Sequence, residues 1–190
     1  MKSKAVIFLA NGCEEIEALT VADLLRRAKS DVALVSINET TDVVSSHNVH
    51  IVADAVFADM DFSETKMLIL PGGMPGTNNL QAYDPLRKLV LQFAEEGKMV
   101  AAICAAPKIL GELGLLQGKN ACCHPGFEEE LTGAKVSFDY PAIKDGNIIT
   151  GRSMGCAIPF GLTILGALEG EEVRKEMAKK IVWMPIPDAE

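Results

Sequence analysis

Long apolar runs are missing from this sequence of 190 residues, although hydrophobic residues make up 48% of it. A helix that crosses a bilayer needs roughly 20 consecutive apolar residues, so a membrane-spanning protein is not expected. Basic residues are also few. The sequence has 18 Lys and Arg against 26 Asp and Glu, which gives a net charge of −8. This balance argues against nucleic acid or an anionic membrane as a partner.

Metal-binding and disulfide patterns are absent as well. The five cysteines include no C-x-x-C pair, and the three histidines do not have zinc-finger spacing, so no metal site is expected. The opening MKSKAVIFLA is basic and then apolar, as a signal peptide is, but the acidic EEIE follows without a small-residue cleavage site. We therefore expect free thiols in a reducing compartment, the cytoplasm.

Short apolar runs alternate with helical patterns through the first part of the chain. Such runs, bounded by turn residues, are typical of strands that are buried on both faces of a parallel sheet. The predicted strands are residues 4–10, 31–37, 66–71 and 99–103, with short β-like pieces between residues 38 and 65. The predicted helices run from Glu15 to Lys29, from Asp84 to Gly97, and onward from Pro107.

The pattern changes after Gly118. Two strand-like runs flank Asp145-Gly146, which is a favourable hairpin turn, and two helices are predicted over 155–168 and 171–182. Neither a linker nor an internal repeat interrupts the chain. We predict one α/β domain over residues 1–190, with three layers and a mainly parallel central sheet.

Three unusual segments follow predicted strands. NGCEEIE follows the first strand, PGG follows the third, and Cys104 follows the fourth. Ligands of open parallel sheets bind beyond the carboxyl ends of the strands. If these strands are neighbours, the three segments meet in one crevice.

Cys104 lies in AAICAAP, at the junction of a predicted strand and a predicted helix. Small residues at Ala102 and Ala106 would let the two backbones approach, and Pro107 suits the first turn of a helix. This context indicates a nucleophile elbow, a strained turn that exposes its side chain above the sheet. The helix N-terminus is expected to lower the pKa of the thiol.

The alternative for Cys104 is a small buried hydrophobe, the ordinary fate of a free cysteine. The elbow context favours function at this position. For Cys13, Cys122, Cys123 and Cys156 no such context exists, and we expect them to be structural.

Backbone donors are expected beside the cysteine. Gly72 and Gly73 lack side chains, so their N–H groups could approach a ligand and form an oxyanion hole with the N–H of Ala105. The alternative is an ordinary turn after a strand. A phosphate loop is not favoured, because no G-K-[ST] follows GGMPG.

Acidic residues crowd the start of the first helix. Glu14 and Glu15 are expected to complement the helix dipole. Glu17 lies about one turn further on and could point back over the strand ends, where its carboxyl would share a proton with the thiol. Protonated Glu17 could then donate a hydrogen bond to the sulfur or move a proton on the substrate.

Histidine offers a second proton carrier. His124, in CCHPG, follows Cys104 in an order compatible with a nucleophile and its base. A capping or core role is the alternative for His124. His47 and His50 are expected at the surface.

The segments GCEEIEA, LPGG, AAICAAP and CHPG, in this order, resemble the ThiJ/PfpI superfamily, in the branch of the Parkinsonism-associated protein deglycase. The resemblance implies a flavodoxin-like sandwich, a homodimer, and a cofactor-independent enzyme. It implies Cys104 as the reactive cysteine, Glu17 as its protonated partner, and His124 as the nearby histidine. It also implies activity on 2-oxoaldehydes such as methylglyoxal and glyoxal, or on their protein adducts.

Two positions depart from the pattern of that branch. His47 stands where relatives often have an arginine, and GRSMG (151–155) replaces a common S-R-G-P-G. Ser153 and Met154 thus take the places of glycine and proline, whereas Arg152 is retained. These changes leave the substrate preference open.

Other functions compete with the enzyme. Cys104 could oxidise to a sulfinate in a redox-responsive chaperone that has no significant turnover. A cysteine peptidase or amidotransferase is disfavoured, because an amidotransferase needs a late His-x-Glu and no histidine follows His124. An α/β-hydrolase would have glycines at Ala102 and Ala106.

Overall fold

The structure is a computed structural model that describes residues 1–184. The strands are β1 (Ala5–Leu9), β2 (Val32–Ser36), β3 (Asp42–Val44), β4 (His50–Val52), β5 (Ala55–Val56), β6 (Met67–Leu70), β7 (Met99–Ile103), β8 (Asn120–Ala121), β9 (Lys135–Val136), β10 (Ala142–Asp145) and β11 (Ile148–Gly151). The α-helices are α1 (Glu15–Arg27), α2 (Gly76–Ala82), α3 (Asp84–Glu95), α4 (Pro107–Glu112), α5 (Ala157–Glu169) and α6 (Glu171–Lys180). The domain predicted for residues 1–190 includes residues 185–190, which lie outside the described range.

A mainly parallel sheet forms the centre of the fold. Within residues 1–184, seven strands pair in the order β10-β11-β7-β6-β1-β2-β5. All neighbours run parallel except β10 and β11, which form the hairpin predicted around Asp145 and Gly146. The predicted α/β class with a mainly parallel sheet is confirmed.

The continuous burial of β1 agrees with its place in the interior of the sheet, between β6 and β2. Every residue of its AVIFL sequence is fully buried, because helices cover both faces of a parallel sheet. Successive side chains point to opposite faces, so Ile7 packs into one core and Phe8 into the other.

Two hydrophobic cores lie on the two faces of the sheet. One core contains apolar residues of α1, α5 and α6, such as Leu24, Phe160 and Met177. The other contains residues of α3 and α4, such as Phe93 and Ile109. Helices on both faces of the sheet give the three predicted layers.

The strand order reverses beside β1, and this reversal positions the site. The chain passes from β1 to β2 on one side, and later places β6 and β7 on the other side. A crevice opens beyond the carboxyl ends of the strands at such a reversal. The segments after β1, β6 and β7 meet there.

Two elements differ from the expectation. Residues 76–82 form the helix α2, where the sequence predicted only a turn after β6. The helix that begins at Pro107 ends at Glu112, and Gly111 in it packs against the backbone of Glu130 and Leu131. The helix at Pro107 was predicted without an end, whereas α2 has too few periodic apolar positions to be recognised from sequence. In the described part of the chain, no helix has the length and hydropathy of a membrane span.

Candidate active site

Cys104 occupies a strained turn between β7 and α4. Its φ angle is +66°, which is unfavourable for a residue with a side chain and is found at functional turns. The turn is held on both sides, because the Cys104 N–H donates to the Gly151 carbonyl at 3.0 Å and the Cys104 carbonyl accepts from the His124 N–H at 2.9 Å. The thiol is half-buried, so a small reagent can reach it.

The two glycines after β6 allow the backbone to approach the thiol. A Cβ at Gly72 would lie 2.6 Å from Cys104 Cβ and 2.8 Å from Glu17 Oε2, and a Cβ at Gly73 would overlap the Glu14 nitrogen. Gly73 also has a φ of +87°, which glycine adopts without strain. Side chains at either position would therefore displace the site.

The backbone donors have different roles. The Gly73 N–H lies close enough to the Cys104 sulfur to lower the pKa of the thiol, as a donor for developing negative charge would. The Gly72 N–H donates to Glu17 Oε2 at 2.8 Å. The expectation that Gly72 contributes to an oxyanion hole is corrected, because the buried carboxyl uses its hydrogen. The role expected of the Ala105 N–H stays a prediction.

Glu17 is buried against the cysteine. It is 1% exposed, and α1 carries it over the ends of β1 and β6. Within the described residues, its Oε1 atom has no hydrogen-bond partner. A buried carboxylate without a full set of donors is costly, so such a group tends to hold a proton.

The pKa values of the pair reflect this burial. Desolvation raises the pKa of Glu17 from 4.5 to about 7, against the lowering effect of hydrogen bonds from Gly72 and Cys104. Desolvation, and then the charge of Glu17, raise the pKa of Cys104 to about 12. The expected lowering of the thiol pKa is therefore wrong, because burial of the sulfur outweighs the nearby N–H groups. Protonation of Glu17 makes the thiolate less unfavourable, because the repulsion between the two charges is removed.

Ser153 lies between His124 and Cys104. In the sequence, Ser153 is notable only as a departure from the pattern of related proteins. The ring Nδ1 lies 3.0 Å from Ser153 Oγ, which lies 4.0 Å from Cys104 Sγ. The His124 ring thus lies near the sulfur, and the Ser153 hydroxyl stands between the two. Ser153 is the functional candidate that sequence reasoning missed.

Comparison with known proteins identifies the family. The model of the DJ-1/PfpI family matches residues 3–167. The chain belongs to the DJ-1/PfpI family. The resemblance inferred from AAICAAP and GCEEIEA is thus confirmed.

Individual relatives cover nearly all of this DJ-1/PfpI chain. Protein DJ-1 homolog B of Arabidopsis thaliana is 36% identical over 98% of the chain, which spans only 43% of that relative's length. Protein dj-1beta of Drosophila melanogaster is 34% identical over 96% of this chain and 98% of its own. A Caenorhabditis elegans relative named glutathione-independent glyoxalase DJR-1.2 is 29% identical over 95% of this chain and 96% of its own.

Solved structures agree with the fold. Drosophila DJ-1beta has a TM-score of 0.88 at 34% identity, covering 97% of this chain and 100% of its own. Toxoplasma gondii DJ-1, described as oxidized, has a TM-score of 0.89 at 29% identity, covering 96% of this chain and 100% of its own. The predicted superfamily architecture is therefore established.

A cluster of charged residues lies at the N-terminus of α1. Glu14 caps the helix through a bond from the Ile16 N–H at 3.3 Å, as expected for a dipole-complementing residue. His47 Nδ1 lies 3.0 Å from Glu15 Oε1 and 3.4 Å from Glu14 Oε2. Donor atoms of the three residues lie within 4.8 Å of one another, close enough to hold a divalent cation. Their mutual ion pairs account for the cluster without a metal.

The remaining candidates are structural. Cys13, Cys122 and Cys123 are fully buried, as predicted, and burial raises their pKa values to about 11, 11 and 12. Cys156 is half-buried. Arg152 donates to the Phe138 carbonyl at 2.9 Å and covers the Phe138 ring, so it supports the loop after β9.

A large groove lies apart from these reactive groups. It measures about 530 Å³ and is lined by residues of α1 and α5 together with residues 180–182. Neither Cys104 nor Glu17 lines it. The elbow crevice is the candidate active site, because the reactive groups and the strained backbone converge there.

Proposed function

We propose that the protein is a cofactor-independent glyoxalase or protein deglycase that acts on 2-oxoaldehydes, such as methylglyoxal and glyoxal, or on their protein adducts. The observation that supports this proposal is the meeting of a thiol, a buried carboxyl with a pKa of about 7 and a backbone N–H in one crevice. A carboxyl with such a pKa can both accept and donate a proton near neutral pH. The C. elegans relative named as a glyoxalase supports the same assignment.

The first step is addition of the Cys104 sulfur to the aldehyde carbon. The thiol gives up its proton, the C–S bond forms as the carbonyl π bond breaks, and the aldehyde oxygen takes up the proton of Glu17. The products are a hemithioacetal and the Glu17 carboxylate. The Gly73 N–H, which is directed at the sulfur, lies where it can also stabilise negative charge on that oxygen.

The second step moves hydrogen between the two substrate carbons. Glu17 removes the proton from the carbon bonded to sulfur, and an enediol forms. Return of the proton to the former ketone carbon gives a thioester, in which the aldehyde carbon is oxidised and the ketone carbon is reduced. Water then releases a 2-hydroxy acid, lactate or glycolate, and the thiol is restored. No external oxidant or reductant is required.

The test is loss of methylglyoxal and appearance of lactate with purified protein and no glutathione. We expect turnover in the wild type and a loss of at least about a hundred-fold in Cys104→Ser, because the nucleophile is removed. Cys156→Ser is the matched control, since Cys156 is also half-buried, and it should retain activity. Full activity of Cys104→Ser would exclude this mechanism.

A redox role is the second candidate, and the donors around the sulfur favour it. Protonated Glu17 and the Gly73 N–H could both bond to an oxygen on an oxidised sulfur, and a half-buried thiol is accessible to peroxide. Peptide mass spectrometry after mild peroxide treatment should find sulfinate first at Cys104. Earlier oxidation of Cys156 would contradict this role.

The assembly and the location are also proposals. We propose a homodimer, because apolar side chains are exposed on two adjoining elements, α1 and the β3–β4 hairpin, among them Leu19, Val49 and Val52. The hairpin is fixed to the start of α1, since the Ser46 N–H donates to the Cys13 carbonyl at 2.8 Å. The five free cysteines support a cytoplasmic location.

A further inference from the structure

The Ser153 hydroxyl lies between the nucleophile and the histidine. We propose that Ser153 relays the thiol proton of Cys104 to the His124 ring, so that the sulfur becomes an anion while Glu17 keeps its own proton for the substrate. The hydroxyl oxygen is 4.0 Å from the sulfur and 3.0 Å from Nδ1 of the ring. The inference rests on the proposed function, because it gives that function's nucleophile a route for its proton.

The central sheet fixes the three relay residues relative to one another. Gly151, at the end of β11, pairs with Ile103 at the end of β7, and its carbonyl accepts from the Cys104 N–H at 3.0 Å. Ser153 follows two residues later in an extended conformation, with φ −168° and ψ −178°. The His124 N–H donates to the Cys104 carbonyl at 2.9 Å. These backbone contacts fix Cys104 relative to His124 and to the end of β11, from which the chain leads to Ser153.

Glu17 by itself is a poor final acceptor for the thiol proton. If Glu17 is ionised, a thiolate beside it would be a second negative charge in a buried site, which is unfavourable. If Glu17 is protonated, it can donate to the thiolate but cannot also accept the thiol's proton. The thiol proton then needs another acceptor, and the Ser153 hydroxyl oxygen lies 4.0 Å from the sulfur.

The relay balances without an added reagent. The S–H bond breaks as its proton passes to Ser153 Oγ, and the hydroxyl's own proton passes to His124 Nδ1. The serine ends unchanged, the sulfur carries a negative charge and the imidazole a positive one. Nδ1 must begin without a proton, as in the tautomer protonated at Nε2. The His124 ring is exposed, so it can release the proton to water.

The test measures thiol reactivity in a Glu17→Gln background, so that the carboxyl does not titrate. The rate of Cys104 alkylation by iodoacetamide is followed by peptide mass spectrometry between about pH 5 and 9. We expect Ser153→Ala to slow alkylation about ten-fold near pH 7. His124→Asn should slow it equally, and the double variant should be no slower than either single variant. Ser153→Thr keeps a hydroxyl on an extended backbone that suits β-branched residues, and it should stay within about two-fold.

A control variant and three contrary outcomes complete the test of the relay. Ser63→Ala changes a serine near Lys4 and Lys66, at the amino ends of β1 and β6, and should not alter alkylation. The relay is overturned if Ser153→Ala reacts like its parent, if Ser153→Thr is as slow as Ser153→Ala, or if the two single effects multiply in the double variant. These rates do not require turnover, so a protein that leaves methylglyoxal intact would refute the proposed function and not the relay.

Discussion

At the scale of a single residue, two opposing effects act on the pKa of Glu17. Its carboxyl is buried beside an ionisable thiol, yet it accepts a hydrogen bond from Gly72 at 2.8 Å. Burial has the larger effect and raises the pKa of Glu17 to about 7. Because the folded protein binds this proton more tightly than the unfolded chain does, ionisation of Glu17 opposes folding.

Glu17→Gln should make the protein more stable at alkaline pH. Between the unfolded value of 4.5 and the folded value of about 7, the wild type loses stability as the pH rises, because its folded state must give up the proton. The amide cannot ionise, so the difference in free energy of unfolding should grow from near zero at about pH 4 to about 3 kcal/mol at about pH 8. Urea unfolding of both proteins across this range measures it.

Glu15→Gln is the matched control, and its effect should have the opposite sign. Burial raises the pKa of Glu15, but backbone and His47 hydrogen bonds outweigh this and lower it below 4.5. Glu15 therefore stabilises the fold above that pH, and the stabilisation is lost as the pH falls. Equal pH profiles for Glu17→Gln and the wild type would contradict the protonated state of Glu17.

At the scale of the element, α4 depends on a glycine. The helix runs only from Pro107 to Glu112, which is too short to be stable on its own. It follows directly after the turn that holds Cys104. A Cβ at Gly111 would overlap the Glu130 carbonyl oxygen and lie 2.9 Å from Leu131 Cα. The helix and the loop after β8 are thus packed backbone against backbone.

Gly111→Ala should destabilise the protein by about 1–3 kcal/mol, because fixed backbone atoms cannot move aside as a flexible side chain can. Gly155→Ala is the control, since a Cβ there meets nothing within 4 Å, and its change should stay within about 0.5 kcal/mol. Thermal or urea unfolding of the pair gives the comparison. Equal stabilities for the two variants would show that α4 can shift away from Glu130.

At the scale of the whole molecule, the exposed apolar side chains bear on assembly. Val52 is 73% exposed on β4, and its strand belongs to a hairpin outside the main sheet. Exposed apolar groups that adjoin one another commonly mark a protein interface. The proposed dimer would bury this surface beside the entrance to the active site.

Light scattering after size exclusion should give the wild type a mass twice that of the 20.4 kDa chain. Val52→Glu should shift the protein towards the monomer, because a buried unpaired charge is costly at an interface. Tyr140→Glu, at another exposed position with 62% exposure, should leave the dimer intact. A wild type that elutes at the mass of one chain would refute the homodimer.

Local sequence determined the strands, the layers and the elbow. The apolar runs that end at Leu70 and Ile103 could only be buried strands, and Cys104 followed by Ala105 and Pro107 could be recognised as a strand-to-helix turn because its signals are adjacent in the chain. The acidic start of α1 likewise placed Glu17 near the strand ends. The helix at Pro107 was also predicted, but the short helix α2 escaped prediction, because packing rather than periodicity stabilises it.

Only the tertiary structure decided how the site's protons and donors are arranged. It assigned the Gly72 N–H to Glu17, directed the Gly73 N–H at the sulfur, and placed Ser153 between His124 and Cys104. These contacts join residues far apart in the chain, and a hydrogen bond or a desolvation effect depends on distances of a few ångströms. The order of residues alone does not specify such distances; the packing of β6, β7 and β11 against one another does.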